Sequence, residues 1–183
     1  PPKYDDAPSI EFREITTKSS IDSMNIDIKL YFRDGTGDIG LTQADTGGIY
    51  KSILHVKKIN DSTFAKKHSR NFMNYWLDIY VKKDGEFVQV KSPDEYHTNP
   101  ANFYIFDGRF KPFNENFTTD KSPLEGFLNY NFTMLPIIDP TTVTYRPEIL
   151  SGDSIMFKIR ILDRKLNVSN TVSTTKLVAF VPQ

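Results

Sequence analysis

Between Met24 and Phe32 every second residue is apolar: Met24, Ile26, Ile28, Leu30 and Phe32, separated by Asn25, Asp27, Lys29 and Tyr31. Successive side chains of a strand point to opposite faces, so this spacing makes a strand with one buried face and one wet face. Ile155, Phe157, Ile159 and Ile161 repeat the pattern against Lys158 and Arg160, and Tyr75, Leu77, Ile79 and Val81 repeat it again. The even residues of 24–32 and the odd residues of 155–161 are therefore expected to face one core. After Val81 the pair Asp84-Gly85 turns the chain into Phe87–Val90. Asp-Gly between alternating segments is the strongest short-range hairpin signal. A second Asp-Gly, Asp107-Gly108, is read as joining strands over Phe103–Phe106 and Arg109–Phe113.

Weaker strand patterns cover Ser9–Ile15, Gly126–Met134 and Val172–Val181. Ile, Thr and Val are abundant while alanine is scarce, a strand former's composition. No segment shows a convincing amphipathic helix. Pro136, Pro140 and Pro147 punctuate 135–152, which reads as a long crossing loop of the kind a Greek key needs. The expectation is an all-β domain: an immunoglobulin-like Greek-key β-sandwich of seven to nine strands over residues 8–183, preceded by an N-terminal tether over 1–7. Residues 49–70 are basic and fit neither period. A short strand at Ile53–Val56 followed by a mobile excursion over Asn60–Ser69 is expected there, with the lysines either solvated or presented to a partner.

Function classes narrow by exclusion. The chain has 23 basic and 23 acidic residues among 183, so it has no net positive field of the kind nucleic-acid or polybasic membrane binding uses. No apolar run reaches the ~20 residues of a membrane-spanning helix. With no cysteine there is neither a disulfide framework nor a thiolate metal site. Common nucleophile, zinc-protease, phosphate-loop and dinucleotide motifs are absent, and His55, His68 and His97 lack metal-ligand spacing. A non-enzymatic binding or structural module is expected, with an unknown protein or glycan as partner.

Two residue groups could bind something. Trp76 and Tyr80 lie on the face of their strand opposite Leu77 and Ile79, about 13 Å apart at ~3.3 Å per residue. Exposed, they would form a stacking platform for sugar rings, which makes a carbohydrate-binding module the alternative function. Otherwise Trp76 is the core tryptophan of a sandwich. The other group is Arg33-Asp34-Gly35-Thr36-Gly37-Asp38-Ile39-Gly40-Leu41-Thr42-Gln43-Ala44-Asp45, which directly follows the best strand. Glycines let a backbone coil tightly enough for carboxylates to converge. An EF-hand starting at Asp34 would need glycine where Ile39 stands and glutamate where Asp45 stands, so this is not an EF-hand. In an immunoglobulin-like sandwich the loop after the second strand and the loop before the last lie at one end. Asp34 and Asp38 would then approach Asp163 and Asn167, a set of hard oxygen ligands suited to Ca²⁺. The metal-free alternative has Arg33 or Arg164 pairing with these carboxylates while Asp163 and Asn167 cap a turn.

The segments IDSMNIDIKLYFRDGTGDIGLTQADT (21–46) and FKIRILDRKLNVSNTVSTT (157–175) resemble a group of cell-envelope lipoproteins of Bacteroidetes-type bacteria. In that group a strand ending in a DGDGD-like loop with IGL pairs with a late DRxxNxSNxVxT segment. The resemblance covers both ends of the chain and departs at Thr36, where a further Asp is usual. It implies an immunoglobulin-type sandwich with no assigned activity. It also implies an outer-membrane-anchored or periplasmic address, with a lipid anchor upstream of Pro1. The Pro-rich, acidic opening PPKYDDAPSIEF suits such a tether.

Overall fold

The computed structural model describes residues 3–20, 22–90, 96–97, 106–113, 122–135 and 149–182. These are nearly all β, with no α-helix and two single 3₁₀ turns at Gly48–Tyr50 and Arg70–Phe72. Eleven strands are described: β1 (Ser9–Ser19), β2 (Met24–Asp34), β3 (Ile53–Lys58), β4 (Phe64–His68), β5 (Tyr75–Lys83), β6 (Glu86–Gln89), β7 (Tyr96–His97), β8 (Leu124–Met134), β9 (Ser154–Ile161), β10 (Val172–Ser173) and β11 (Leu177–Val178). No helix among these residues is long and apolar enough to cross a membrane.

Three antiparallel sheets form. The first has the order β1-β2-β8, the second β10-β9-β5-β6 with β11 also on β9, and the third β3-β4-β7. Within the first, β2 pairs with β8 without a break from Met24↔Met134 to Asp34↔Leu124. Within the second, β5 pairs with β9 from Tyr75↔Ile161 to Val81↔Ile155. The expected inward faces are the observed ones: Met24, Ile26, Ile28, Leu30 and Phe32 are buried together with Ile155, Phe157, Ile159 and Ile161 in one core. Aromatic contacts join the first two sheets across it. Phe132 meets Phe157 edge-on at 5.5 Å, and Tyr75 stacks on Tyr130 at 4.2 Å. Tyr75 and Phe157 are fully buried, and burying such a side chain contributes roughly 1.5–3 kcal/mol.

Asp84-Gly85 makes the expected hairpin, with φ of 49° and 90° at the two turn residues and Lys83 opposite Glu86. Both positive angles are what a type I′ turn requires.

Four expectations need correction. Asn60–Ser69 is not an excursion: β4 runs back along β3 around a turn closed by the Ile59 and Asn60 amides donating to the Thr63 carbonyl. Every β3 residue after Ile53 is exposed, so no buried face imposed a period there. Asp107-Gly108 is not a hairpin turn into a strand over 109–113. Gly108 forms a single bridge with Tyr75, and the Asp107 carboxylate accepts from the Leu77 amide at 2.8 Å and from Arg70. Glycine is needed there for close packing, since a Cβ on Gly108 would lie 2.2 Å from the Tyr130 ring. The closing strand divides into β10 and β11. Its expected C-terminal part ends early because Phe180 takes a positive φ of 53°. That division, with β4 and β7, takes the strand number past nine. The first arm of the second hairpin, 103–105, and most of the crossing loop, 136–148, lie outside the described residues.

Candidate metal centre

Alternation places the first carboxylate. Asp34 sits two residues beyond Phe32 in the inward phase of β2 and is completely buried. Asp163 stands two residues beyond Ile161, in the inward phase of β9, and is also buried. Each inner sheet face therefore ends on an aspartate, and an Ile39↔Asp163 bridge brings the two ends together. Asp38 arrives by the glycine-rich loop: its carbonyl accepts from the Arg164 amide at 3.3 Å, and its own amide donates to Asp34 Oδ2 at 2.9 Å. Gly37 permits this path. Its φ is +65°, and a Cβ there would lie 2.1 Å from the Ser122 carbonyl oxygen, a conformation and an approach that only glycine tolerates.

One carboxylate oxygen from each of Asp34, Asp38 and Asp163 lies within 4.8 Å of the others. Two oxygens bound to one Ca²⁺ at ~2.3–2.6 Å are separated by at most about 5 Å, so this spacing fits a shared ion. Among the described residues no other group of three such side chains converges in this way. Asp163 is the most fully occupied of the three. Its Oδ1 accepts from the Lys165 and Asn167 amides at 2.8 Å each, and its Oδ2 from the Asn167 side-chain amide at 2.7 Å. Asp38 Oδ1 accepts from the Thr36 hydroxyl at 2.6 Å. A carboxylate has about four acceptor sites, so Asp34 and Asp38 retain capacity that these hydrogen bonds do not use.

The two arginines next to the cluster turn elsewhere, which corrects the arginine-paired alternative. Arg33 is on the wet face of β2 and bonds Glu11 at 2.6 Å. Arg164 grips Asp45 through two nitrogens, each at 2.7 Å. Among the described residues no ion pair reaches Asp34, Asp38 or Asp163. Three buried carboxylates this close together oppose one another's ionisation. Burial first, then the charges of Asp38 and Asp163, push the Asp34 carboxyl up to about 6. Burial likewise raises Asp163, against the Asn167 hydrogen bond. In the opposite sense, the Arg164 hydrogen bonds hold the Asp45 carboxyl well below the usual range.

Asn167, expected as a ligand, presents N–H groups to Asp163 and orients it. Thr36 supplies a hydroxyl that orients Asp38. A second group of side chains, which sequence reasoning missed, braces the loop: Arg109 donates to the Thr42 and Asp45 carbonyls at 2.6 Å, and the Tyr50 hydroxyl donates to the Arg164 carbonyl. None of these has a local signature, because each partner comes from a distant part of the chain.

Trp76 and Tyr80 lie together on the outer face of β5, half-buried rather than in the core. The Trp76 indole N–H donates to the Arg70 and Met73 carbonyls. Its ring has guanidinium groups of Arg70 and Arg160 at 4.9 and 5.2 Å, and Lys158 stands 4.4 Å over the Tyr80 ring. Asp78 ties Arg70 to Arg160 between them. The pair therefore forms part of a cation-covered, ion-paired surface.

Comparison with protein-family models, with curated proteins and with solved structures gives no match for this chain.

Proposed function

We propose that this chain is a non-enzymatic binding or structural domain, an immunoglobulin-like Greek-key sandwich whose Asp34–Asp38–Asp163 cluster binds one Ca²⁺. The observation that carries the reading is the convergence of three buried carboxylates with no cationic side chain on them among the described residues. Buried charge needs a partner, and hard oxygen ligands in a loop-built, adaptable cage suit calcium better than magnesium, which demands near-ideal octahedral geometry. The burial that suits an ion also argues against catalysis: carboxylates only 0–2% exposed cannot meet a substrate. The bound ion would hold the loop after β2 against the segment after β9, tying the ends of the two main sheets.

Such sites have affinities of ~10⁻⁴–10⁻³ M where calcium is millimolar. This accords with an address in the cell envelope, outer-membrane-anchored or periplasmic, and with a lipid anchor preceding the domain. A protein or glycan partner would engage the outward surface. The test is thermal unfolding in excess calcium against chelator, with magnesium as the comparison. A calcium-specific rise in Tm supports the reading, and superimposable curves refute it.

A further inference from the structure

The neutral composition conceals a segregation of charge. Residues 49–70 carry six of the 23 basic side chains and one of the 23 acidic ones, a net +5 that the rest of the chain cancels. The structure gathers most of them onto the β3–β4 hairpin, which belongs to neither sheet of the main core. Val56 stands opposite Lys66, and Lys58 opposite Phe64. Directly opposed residues share a face, so Val56, Phe64, Lys58 and Lys66 form one patch, with Ile59 just beyond it at the turn. Val56, Ile59 and Phe64 are all exposed, as are Lys57 and Lys58. Asp61, the one acidic residue of the segment, bonds Lys58 at 2.9 Å in an exposed pair.

We propose that this hairpin docks the domain onto a lipid surface bearing anionic headgroups. Ammonium groups would meet the headgroup phosphates while Val56, Ile59 and Phe64 enter the boundary with the acyl chains. Two observations favour lipid over an acidic protein. The patch lies on a hairpin whose β3 is exposed on both faces, so it encloses nothing. On that face lysine and apolar side chains also interleave, Val56 beside Lys66 and Lys58 beside Phe64, a pattern mobile headgroups accommodate but a protein partner would have to match group by group. Lysines on an edge strand also deter strand pairing. That role gives no reason for Val56, Ile59 and Phe64 to face water beside them.

The test is co-sedimentation of the full chain with phosphatidylcholine vesicles, with and without phosphatidylglycerol, in chelator so that the aspartate cluster plays no part. Binding is expected only with phosphatidylglycerol and should weaken as salt is raised. Lys58→Ala and Lys66→Ala should each reduce partitioning about fivefold. Ile59→Ser with Phe64→Ser should reduce it with the charge unchanged. These side chains are exposed or half-buried, and an unchanged Tm checks that the variants fold. No partitioning, or equal partitioning of the lysine variants, would overturn the proposal. So would an Ile59→Ser/Phe64→Ser variant that binds as well as the parent, because attraction to an acidic protein or other polyanion would then suffice.

Discussion

Replacing Asp38 by Asn should change stability in opposite directions with and without calcium. The substitution keeps the size of the side chain and an oxygen to accept from the Thr36 hydroxyl, now at 2.6 Å, and removes one of three gathered charges. Without calcium, keeping Asp34 ionised at pH 7 costs on the order of 3 kcal/mol, given a carboxyl pushed up to about 6. Burial is the largest part of that cost and Asp38 comes next, so neutralising Asp38 should recover ~1 kcal/mol. In a chain of this length ~1 kcal/mol moves Tm by about 2–4 °C. With calcium at ~10–100 times its dissociation constant, the parent gains ~1.4–2.7 kcal/mol, a rise of roughly 3–10 °C. The variant should lose most of that rise. Thermal unfolding followed by circular dichroism therefore has a crossing signature: Asp38→Asn melts above the parent in chelator and below it in calcium. A variant that melts below the parent by the same margin in both buffers would refute the reasoning, because Asp38 would then be a structural acceptor and nothing more.

The same cluster sets a pH dependence. Asp34 takes up its proton near pH 6 when folded and near 4 when unfolded, so the folded chain binds more protons between those values. In chelator, stability should rise as pH falls from 7 to about 5, by ~1.3 kcal/mol. Asp45, held low by Arg164, keeps its contribution throughout that window and loses it only at lower pH. A Tm falling steadily from pH 7 to 5 in chelator would contradict this. Gly108→Ala drives a Cβ to 2.2 Å from the Tyr130 ring and should cost ~1–3 kcal/mol, read as a lower urea midpoint; a parental midpoint would show that the Tyr75–Tyr130 stack yields easily. Tyr75→Phe removes a buried hydroxyl that has no hydrogen-bond partner among the described residues and should leave stability within ~0.5 kcal/mol or raise it. A loss above ~2 kcal/mol would mean that the hydroxyl is bonded in the native state.

Alternation in β2, β5 and β9 is legible because it is local: a half-buried strand must place apolar groups two apart whatever it packs against. The same phase continues past the last apolar residue to Asp34 and Asp163, a signal that both carboxylates point inward. Sequence reasoning brought these residues together through an assumed sandwich geometry, although their inward phase was already visible in the spacing. The β3–β4 hairpin was illegible for the converse reason. Its strands are exposed, its lysines suit either a loop or an edge strand, and the pairing rests on backbone hydrogen bonds that leave no period. Asp107-Gly108 misled because a turn-forming pair can also serve close packing, and only the Tyr130 ring against Gly108 distinguishes the two.

The residues alone thus determine an all-β chain, its inward faces, its Asp84-Gly85 turn and a glycine-rich loop able to coil carboxylates together. These follow from side-chain period and backbone sterics, which act over a few neighbouring residues. Only the tertiary structure decides that Arg33 goes to Glu11 and Arg164 to Asp45, that Asn167 orients Asp163 instead of joining it, and that three aspartates lie together with no ion pair from a described residue. Those outcomes depend on which strands pair, in what register, and on which sheet ends meet. Such choices are made by contacts between distant halves of the chain and leave no periodic trace in either one.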